Sequence, residues 1–235
     1  NLTFKYNLCM KKNLLFLFVF SLLLITNSQA GEVESYNYNN ENLLLPIPNG
    51  FCNATEDLVG IFTMDYMNKQ LSEGFEAHSP VIVFTRCGFE DDIDEMYPWG
   101  YIALAENSKP RLTQESVNKM LSTLLDSSEM MQKLQEINDN ATKNTISEYG
   151  MEFDSLGTDE TMLGWTDENV AIMTTTASYV IEGEKYTEIA VTSTTALNKV
   201  LINYIITDLK NGLTTPIEIS TLLIDNSKLL VRMNK

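Results

Sequence analysis

The stretch "EIAVTSTTALNKVLINYIITDL", residues 188–209, consists of two runs of β-branched and aromatic residues with Asn198 and Lys199 between them. Such runs are typical of strands, and asparagine tolerates the positive φ that a two-residue hairpin turn needs. A similar run, "VAIMTTTASYVIEG" at 170–183, precedes them, with "EGEK" at 182–185 as a second turn. The last third of the chain therefore predicts a three-stranded antiparallel meander.

The middle strand of this meander has two faces of different size. Ile189, Val191 and Leu197 share one face, because side chains alternate along a strand. The opposite face carries small residues: Ala190, Thr192, Thr194 and Ala196. We expect a helix to pack closely against that small-residue face.

Three segments show helical signals. The C-terminal one, 216–230, begins with Thr215 as N-cap, Pro216 at the first helical position and Glu218 as the partner in a capping box. A second runs over 113–138, where apolar residues recur at helical spacing, and its methionines Met120, Met130 and Met131 form either core or an adaptable binding face. The first, 56–72, has Thr55 as N-cap and acidic residues in its first turn.

The remaining elements precede the meander. "PVIVFTRC" at 80–87 is typical of a buried strand, and "YIALAE" at 101–106 predicts a short one. Two prolines make "LLPIPNGFC", 44–52, an extended segment, whereas the Asn-rich segment 31–43 predicts a flexible arm. The fold class is therefore α+β, a layered sandwich of helices on a mainly antiparallel sheet, in a single domain over 44–235.

The first 30 residues have the pattern of a secretory signal. Met10 is the predicted start, the apolar run 14–26 follows two lysines, and small residues precede a cleavage site after Ala30. Thirteen apolar residues are too few to cross a bilayer as a helix. Gly31 follows the site where a lipoprotein would need a cysteine. We expect a soluble protein that is periplasmic or secreted.

The charge balance excludes several kinds of partner. The chain has 16 basic and 32 acidic residues, and loss of residues 1–30 removes three of the lysines and no acid, which leaves a net charge of −19. Such a surface repels phosphate backbones and anionic lipids. The charge therefore disfavours nucleic acid and membrane surfaces, and a protein partner in the cell envelope stays open.

Candidate reactive residues are few. His78 is the only histidine, and no Gly-x-Ser-x-Gly elbow accompanies it, so a hydrolase built on it is a remote alternative. The acidic run 90–95 lacks the alternation and central glycine of a calcium loop. Trp165 lies between two acidic turns, an arrangement that keeps sugar chemistry as a remote option. The sequence predicts no catalytic residue, cofactor or metal.

Cys9 precedes the predicted cleavage site, so the mature chain keeps Cys52 and Cys87. An even pair in an oxidising compartment indicates a disulfide first. The alternative is a thiol enzyme or redox protein that uses Cys52, which precedes a predicted helix N-terminus where the dipole lowers a thiol pKa. Against this alternative, the two cysteines are 35 residues apart rather than in a C-x-x-C motif.

The order of motifs resembles a family of uncharacterised exported bacterial proteins. The similarity rests on "PIPNGFC" at 46–52, "VIVFTRCGF" at 81–89, "LGWTDENVAI" at 163–172 and the hairpin at 188–208. The family has a glycine in the hairpin turn, which this chain lacks. The resemblance implies a layered domain loosely similar to PsbP, Mog1 and DcrB, with no activity to transfer. The expected function is a non-enzymatic accessory or binding domain stapled by the Cys52–Cys87 disulfide.

Overall fold

A computed structural model describes residues 31–38, 41–72, 79–92, 95–106, 113–148, 152–197 and 200–235. The predicted leader, with Met10 and Ala30, lies outside this part of the chain, as does His78. Gly31–Lys235 forms one compact unit. Within the described ranges, no helix has the length and apolarity needed to cross a membrane.

The described residues contain nine strands and four helices. The strands are β1 (Val33–Tyr38), β2 (Glu41–Pro46), β3 (Phe51–Asn53), β4 (Ser79–Arg86), β5 (Trp99–Glu106), β6 (Phe153–Thr166), β7 (Ala171–Ile181), β8 (Glu184–Leu197) and β9 (Val200–Leu209). The helices are α1 (Leu58–Ser72), α2 (Gln114–Leu125), α3 (Ser128–Glu148) and α4 (Pro216–Met233).

The main sheet has seven strands in the order β3-β4-β5-β9-β8-β7-β6, and all neighbours are antiparallel. This sheet confirms the α+β fold class and the C-terminal meander. Leu197 pairs with Val200, so the β8–β9 connection has two residues, although its turn type lies outside the described residues. Glu182 and Gly183 make the β7–β8 turn with φ of 51° and 81°.

The helices cover both faces of the sheet. α4 packs on β8, β7 and β2, and its capping box between Thr215 and Glu218 is present as predicted. On the opposite face, α2 contacts Ala171 and Ala196, which belong to the small side of the meander. Gln114 of α2 donates to the carbonyl of Thr194 (3.1 Å) and accepts from the amide of Ala196 (2.8 Å). The small side chains of the sheet thus leave room for α2 to approach its backbone closely.

The larger core lies under α4. It includes Leu45, Tyr204, Ile206 and Leu223, all fully buried, and continues into the β1–β2 hairpin. Asn234 at the end of α4 accepts from the amide of Leu44 and donates to its carbonyl, at 2.9 and 2.8 Å. The hairpin is therefore an integral part of this layer.

The expectation of a flexible arm over 31–43 is wrong. Residues 33–38 pair with 46–41 as an antiparallel hairpin, and Tyr36 and Tyr38 pack against the main core. Alternation of tyrosine with polar residues suits a half-buried strand, but the Asn-rich composition concealed it. These tyrosines pack against the main core, whose residues come from the sheet and from the C-terminal helix, far away in the sequence.

The bounds of two helices differ from expectation, and one strand was not predicted. The helix predicted over 113–138 is two helices, separated at Asp126 and Ser127, and the second continues to Glu148. The helix predicted from 56 begins at Leu58, because Thr55 instead binds the neighbouring strand. β6 was not predicted, since three register shifts interrupt its alternation.

Candidate functional site

Cys52 and Cys87 are joined by a disulfide, with 4.9 Å between their Cα atoms. Cys52 lies in β3, and Cys87 directly follows β4. The two sulfurs and a carboxylate oxygen of Glu90 lie within 4.8 Å of one another. Disulfide sulfurs are neither thiolate ligands nor nucleophiles, so this state offers neither a metal ligand set nor the reactive thiol that the alternative needs.

β3 is much shorter than its partner strand. Its pairing with β4 ends at Asn53 and Phe84, after which the chain turns away from the sheet. At the turn, Ala54 donates to the carbonyl of Val83 (2.8 Å), and the Thr55 hydroxyl accepts from the amide of Val83 (3.0 Å). Val81 and Ile82, further along β4, therefore border a cleft instead of a paired strand.

This cleft has a volume of about 380 Å³ and is open to solvent. Three parts of the chain line it: one side of β1, the turn between β3 and α1, and the exposed end of β4. The lining residues are Glu34, Ser35, Tyr36, Asn53, Thr55, Glu56, Asp57, Val81 and Ile82. We refer to this set as the β4-edge cleft.

Asn53 fixes the walls of the β4-edge cleft relative to one another. Its side-chain amide donates to the Glu34 carboxylate (2.9 Å), and its backbone amide approaches Glu32 at 3.4 Å. The side-chain oxygen of Asn53 accepts hydrogen bonds from the backbone amide (2.9 Å) and the hydroxyl (2.7 Å) of Thr55. One side chain thus joins the N-terminal hairpin to the turn that leads into α1.

Gly60 lets α1 sit against the same turn. A Cβ atom at this position would clash with the carbonyl oxygens of Ala54 and Thr55. The helix N-terminus is held as well, because the amide of Leu58 donates to Asp91 (3.3 Å) and that of Val59 to the carbonyl of Glu90 (3.1 Å). The turn before α1, which lines the cleft, is therefore held by close packing against the helix.

A second polar cluster lies on the sheet face that α1 contacts. Tyr97 donates a hydrogen bond to the carboxyl of Glu188, and its oxygen lies 3.4 Å from that of Tyr179. Tyr179 also stacks on Tyr186 with ring centroids 5.8 Å apart. Burial raises the pKa of Glu188 to about 8. At neutral pH this carboxyl is therefore mostly protonated and acts as a neutral hydrogen-bonding group.

Burial also raises the pKa of Tyr179, and interactions with Tyr66 and Tyr186 raise it further. Its hydroxyl therefore keeps its proton throughout the physiological range. Tyrosines and a neutral carboxyl make this cluster a hydrogen-bonding layer between sheet and helix. Sequence reasoning missed it because Tyr97 is 82 residues from Tyr179 and 91 from Glu188, and no local motif connects them.

The acidic run 90–95 serves local structure where it is described. Glu90 accepts from the amide of Gly88 (2.9 Å), and Asp92 accepts from that of Glu95 (3.1 Å). Together with the Asp91 contact to α1, these bonds stabilise the loop after β4. The rest of the run, 93–94, lies outside the described residues.

Trp165 lies in β6 and is 52% exposed, so about half of this large side chain is open to solvent. The nearby Asp167 accepts from the amides of Asn169 (2.7 Å) and Val170 (3.0 Å), which makes the turn before β7. Met120 on α2 is 48% exposed, whereas the side chains of Met130 and Met131 are not described. The predicted methionine face is thus visible at one residue only.

No model of a known protein family matches the chain. No curated protein matches it either. Among solved structures, it is weakly similar to cyanobacterial PsbP (CyanoP) from Synechocystis sp. PCC 6803, with 12% identity, a TM-score of 0.34, and coverage of 87% of this chain and 93% of that one. It is also weakly similar to the Saccharomyces cerevisiae Ran-binding protein Mog1p, with 11% identity, a TM-score of 0.26, and coverage of 87% and 92%.

Proposed function

We propose that this chain is an exported, non-enzymatic accessory or binding domain, and that the β4-edge cleft is its binding site. The cleft supports this proposal because polar groups from three separate elements converge on it. Concave sites with a few convergent polar groups are where ligands usually bind. The Asn53 and Gly60 contacts fix its walls, so a ligand would meet a preformed surface.

The leader pattern and the disulfide both support export. Disulfides persist in oxidising compartments, and the pattern at residues 10–30 is that of a cleaved secretory signal. The expected location is periplasmic or extracellular, with a protein partner in the cell envelope. Cell fractionation followed by N-terminal sequencing should give a mature chain that begins at Gly31. An intact leader on a protein in the cytoplasmic fraction would contradict export.

Thiol counting separates the binding domain from the thiol enzyme that uses Cys52. The native mature protein should show no titratable thiol without reductant, and two after reduction and unfolding. Two thiols in the native, unreduced protein would favour the thiol alternative. This count is independent of any assumption about the ligand.

Partner capture tests the cleft itself. Wild-type protein and Glu56→Lys, which reverses an exposed charge in the cleft, would be immobilised and incubated with the exported fraction. Glu160→Lys on β6 is the matched control, because it makes the same change at an exposed position on the opposite edge of the sheet.

A retained protein would then be purified and its dissociation constant measured for all three variants. We expect Glu56→Lys alone to weaken binding. Equal affinities for the three variants would remove the cleft from the proposal. Turnover of a generic ester, glycan or peptide substrate by the purified protein would instead support an enzyme.

A further inference from the structure

We propose that reduction of the Cys52–Cys87 disulfide creates a binding site for a thiophilic divalent metal ion, with Zn²⁺ as the expected ion, on the two thiolates and the carboxylate of Glu90. This inference goes beyond the proposed function, because it concerns a second site and a second redox state of the chain. The observation that carries it is the position of Glu90, whose carboxylate oxygen lies within 4.8 Å of both sulfurs.

A tight turn after β4 presents Glu90 to the disulfide. The amide of Phe89 donates to the carbonyl of Arg86 (3.1 Å), and Gly88 has a φ of 91°, so the chain reverses directly after Cys87. A residue with a side chain rarely adopts that φ, which makes glycine the suitable residue there. Glu90, three residues after Cys87, therefore returns to the two sulfurs.

Hydrogen bonds orient Glu90 through both its side chain and its backbone. Its carboxylate accepts from the amide of Gly88 (2.9 Å), and its backbone carbonyl accepts from the amide of Val59 at the start of α1 (3.1 Å). A carboxylate has acceptor positions on two oxygens, so one hydrogen bond leaves room for a metal. Such bonds to a ligand hold it in the geometry that a metal needs. The third ligand is therefore in place before any metal binds.

Reduction supplies the other two ligands. A dithiol reductant donates two electrons by thiol–disulfide exchange: the sulfur–sulfur bond of the protein breaks, each cysteine takes a proton, and the reductant becomes a disulfide. Cys87 is exposed and Cys52 is half-buried, so a small dithiol can reach the bond. Metal binding then releases both thiol protons to water, because thiolates are the ligands.

The ligand set selects the ion. Zn²⁺ binds thiolates and carboxylates, and three protein ligands with water in the fourth position make a tetrahedral site. Two thiolate sulfurs lie about 3.8 Å apart in such a site, since each zinc–sulfur bond is about 2.3 Å. Rotation of one cysteine side chain opens the pair to that distance once the covalent bond is broken, while the Cα atoms can stay 4.9 Å apart. Ca²⁺ and Mg²⁺ prefer oxygen ligands throughout and do not suit this site.

The consequence is a cross-link between β3 and the loop after β4 in both redox states. The oxidised chain has a covalent link, and the reduced chain has a metal link. Asp91 of the same loop accepts from the amide of Leu58 (3.3 Å), so either link also holds the start of α1.

Cobalt titration of the reduced mature protein tests the inference. Co²⁺ is a coloured substitute for Zn²⁺, and thiolate ligands give its complexes charge-transfer absorption in the near ultraviolet. The disulfide would be reduced with a phosphine, which gives two electrons and takes an oxygen atom from water, and the excess would be removed under inert gas. We expect one Co²⁺ per chain, with thiolate absorption that an equimolar amount of Zn²⁺ removes. The oxidised protein should show no such absorption.

Variants identify the ligands, with Zn²⁺ affinity measured by competition with a chromophoric chelator. Glu90→Gln should bind Zn²⁺ at least about tenfold more weakly than the reduced wild type, and Cys87→Ser at least about a hundredfold. Glu95→Gln is the matched control, because it removes an exposed carboxylate of the same loop that is outside the ligand group. Its affinity should equal that of the wild type.

Folding is measured as well, because the reduced chain has lost its covalent cross-link. Zn²⁺ should raise the thermal midpoint of the reduced wild type and leave that of the oxidised protein unchanged, since an ion that binds only the folded state stabilises it. A reduced chain whose midpoint does not respond to Zn²⁺ would contradict the site, whether or not that chain is fully folded at the start.

Two further results would overturn the inference. One is equal Zn²⁺ affinity of Glu90→Gln and Glu95→Gln, and the other is a cobalt complex of the reduced protein without thiolate absorption. Neither result bears on partner capture by the β4-edge cleft, so the proposed function stands or falls separately.

Discussion

The two faces of the seven-stranded sheet differ in chemistry. Under α4 the contacts are large and apolar, and Leu45, Ile206 and Leu223 are fully buried there. Under α1 a smaller apolar cluster includes Val83, Met96 and Trp99, and the polar group Glu188 lies on the same face of the sheet. Under α2 the sheet presents small residues and the backbone groups that bind Gln114. We infer that the first face supplies most of the stability and that the second one positions polar groups. The β4-edge cleft lies where the hairpin of the first layer meets the start of α1 in the second.

The largest difference between the faces should appear on truncation of core leucines. Leu223→Ala empties a fully buried site in the main core and should reduce the free energy of unfolding by about 3 to 5 kcal/mol. Leu121→Ala on α2, in the smaller cluster and 8% exposed, should cost about 2 kcal/mol. Urea denaturation of both variants measures the difference. Equal losses would show that the two layers contribute alike.

The disulfide holds the edge of the sheet next to the cleft. Its removal frees a loop closed over a sequence separation of 35 residues, which the chain-entropy model values at about 3 to 4 kcal/mol. Cys52→Ser and Cys87→Ser should each lower the free energy of unfolding by this amount, and the double variant should be no less stable than either. Clearly additive losses would mean that the two cysteines act separately.

Gln114 tests whether polar contacts hold the second layer. Gln114→Ala removes its bonds to Thr194 and Ala196 and leaves backbone groups of β8 without that partner, at a cost of about 1 to 3 kcal/mol. Gln114→Glu keeps the size and one acceptor, and should recover part of the loss. If Gln114→Ala left the denaturation midpoint unchanged, these two hydrogen bonds would not be what holds α2 on the sheet.

Glu188 gives the second face a dependence on pH. Its pKa is about 8 in the folded chain against 4.5 in the reference state, so folding takes up a proton between these values and stability falls as pH rises through this window. Because Glu188 retains some exposure, we expect a loss of about 1 to 2 kcal/mol from about pH 5 to 8. Glu188→Gln should remove that part of the slope.

Urea denaturation at several pH values, with both proteins in the same buffers, checks this prediction. Other acidic groups contribute equally to both proteins, so the difference between the two curves isolates Glu188. Parallel curves for the wild type and Glu188→Gln would show that the carboxyl titrates normally in the folded protein.

Local patterns predicted those elements whose signals lie within a few residues. The capping box marked the start of α4, and β-branched runs marked β4, β8 and β9. β6 escaped because its register shifts break the alternation on which the prediction depends. The β1–β2 hairpin escaped because its burial depends on α4, as the bond between Leu44 and Asn234 shows.

The candidate site was less accessible to sequence reasoning than the fold. The disulfide was predicted from cysteine number and compartment alone. The β4-edge cleft was not, because Glu34, Asp57 and Val81 come together only through the hairpin that the sequence did not predict. Cys52 lies next to the residues of the cleft in the chain, but its thiol is in the disulfide, and the carboxylates Glu56 and Asp57 that line the cleft form no recognisable local motif.

The position at which a ligand contacts the domain tests the β4-edge cleft most directly. Backbone amide shifts of isotope-labelled mature protein, followed by NMR during titration with the captured partner protein, map that contact. We predict saturable changes at residues 34–36, 53–57 and 81–82, which line the cleft. Changes centred on β6 around Trp165, or spread over all acidic surfaces without saturation, would contradict the assignment of the β4-edge cleft as the binding site.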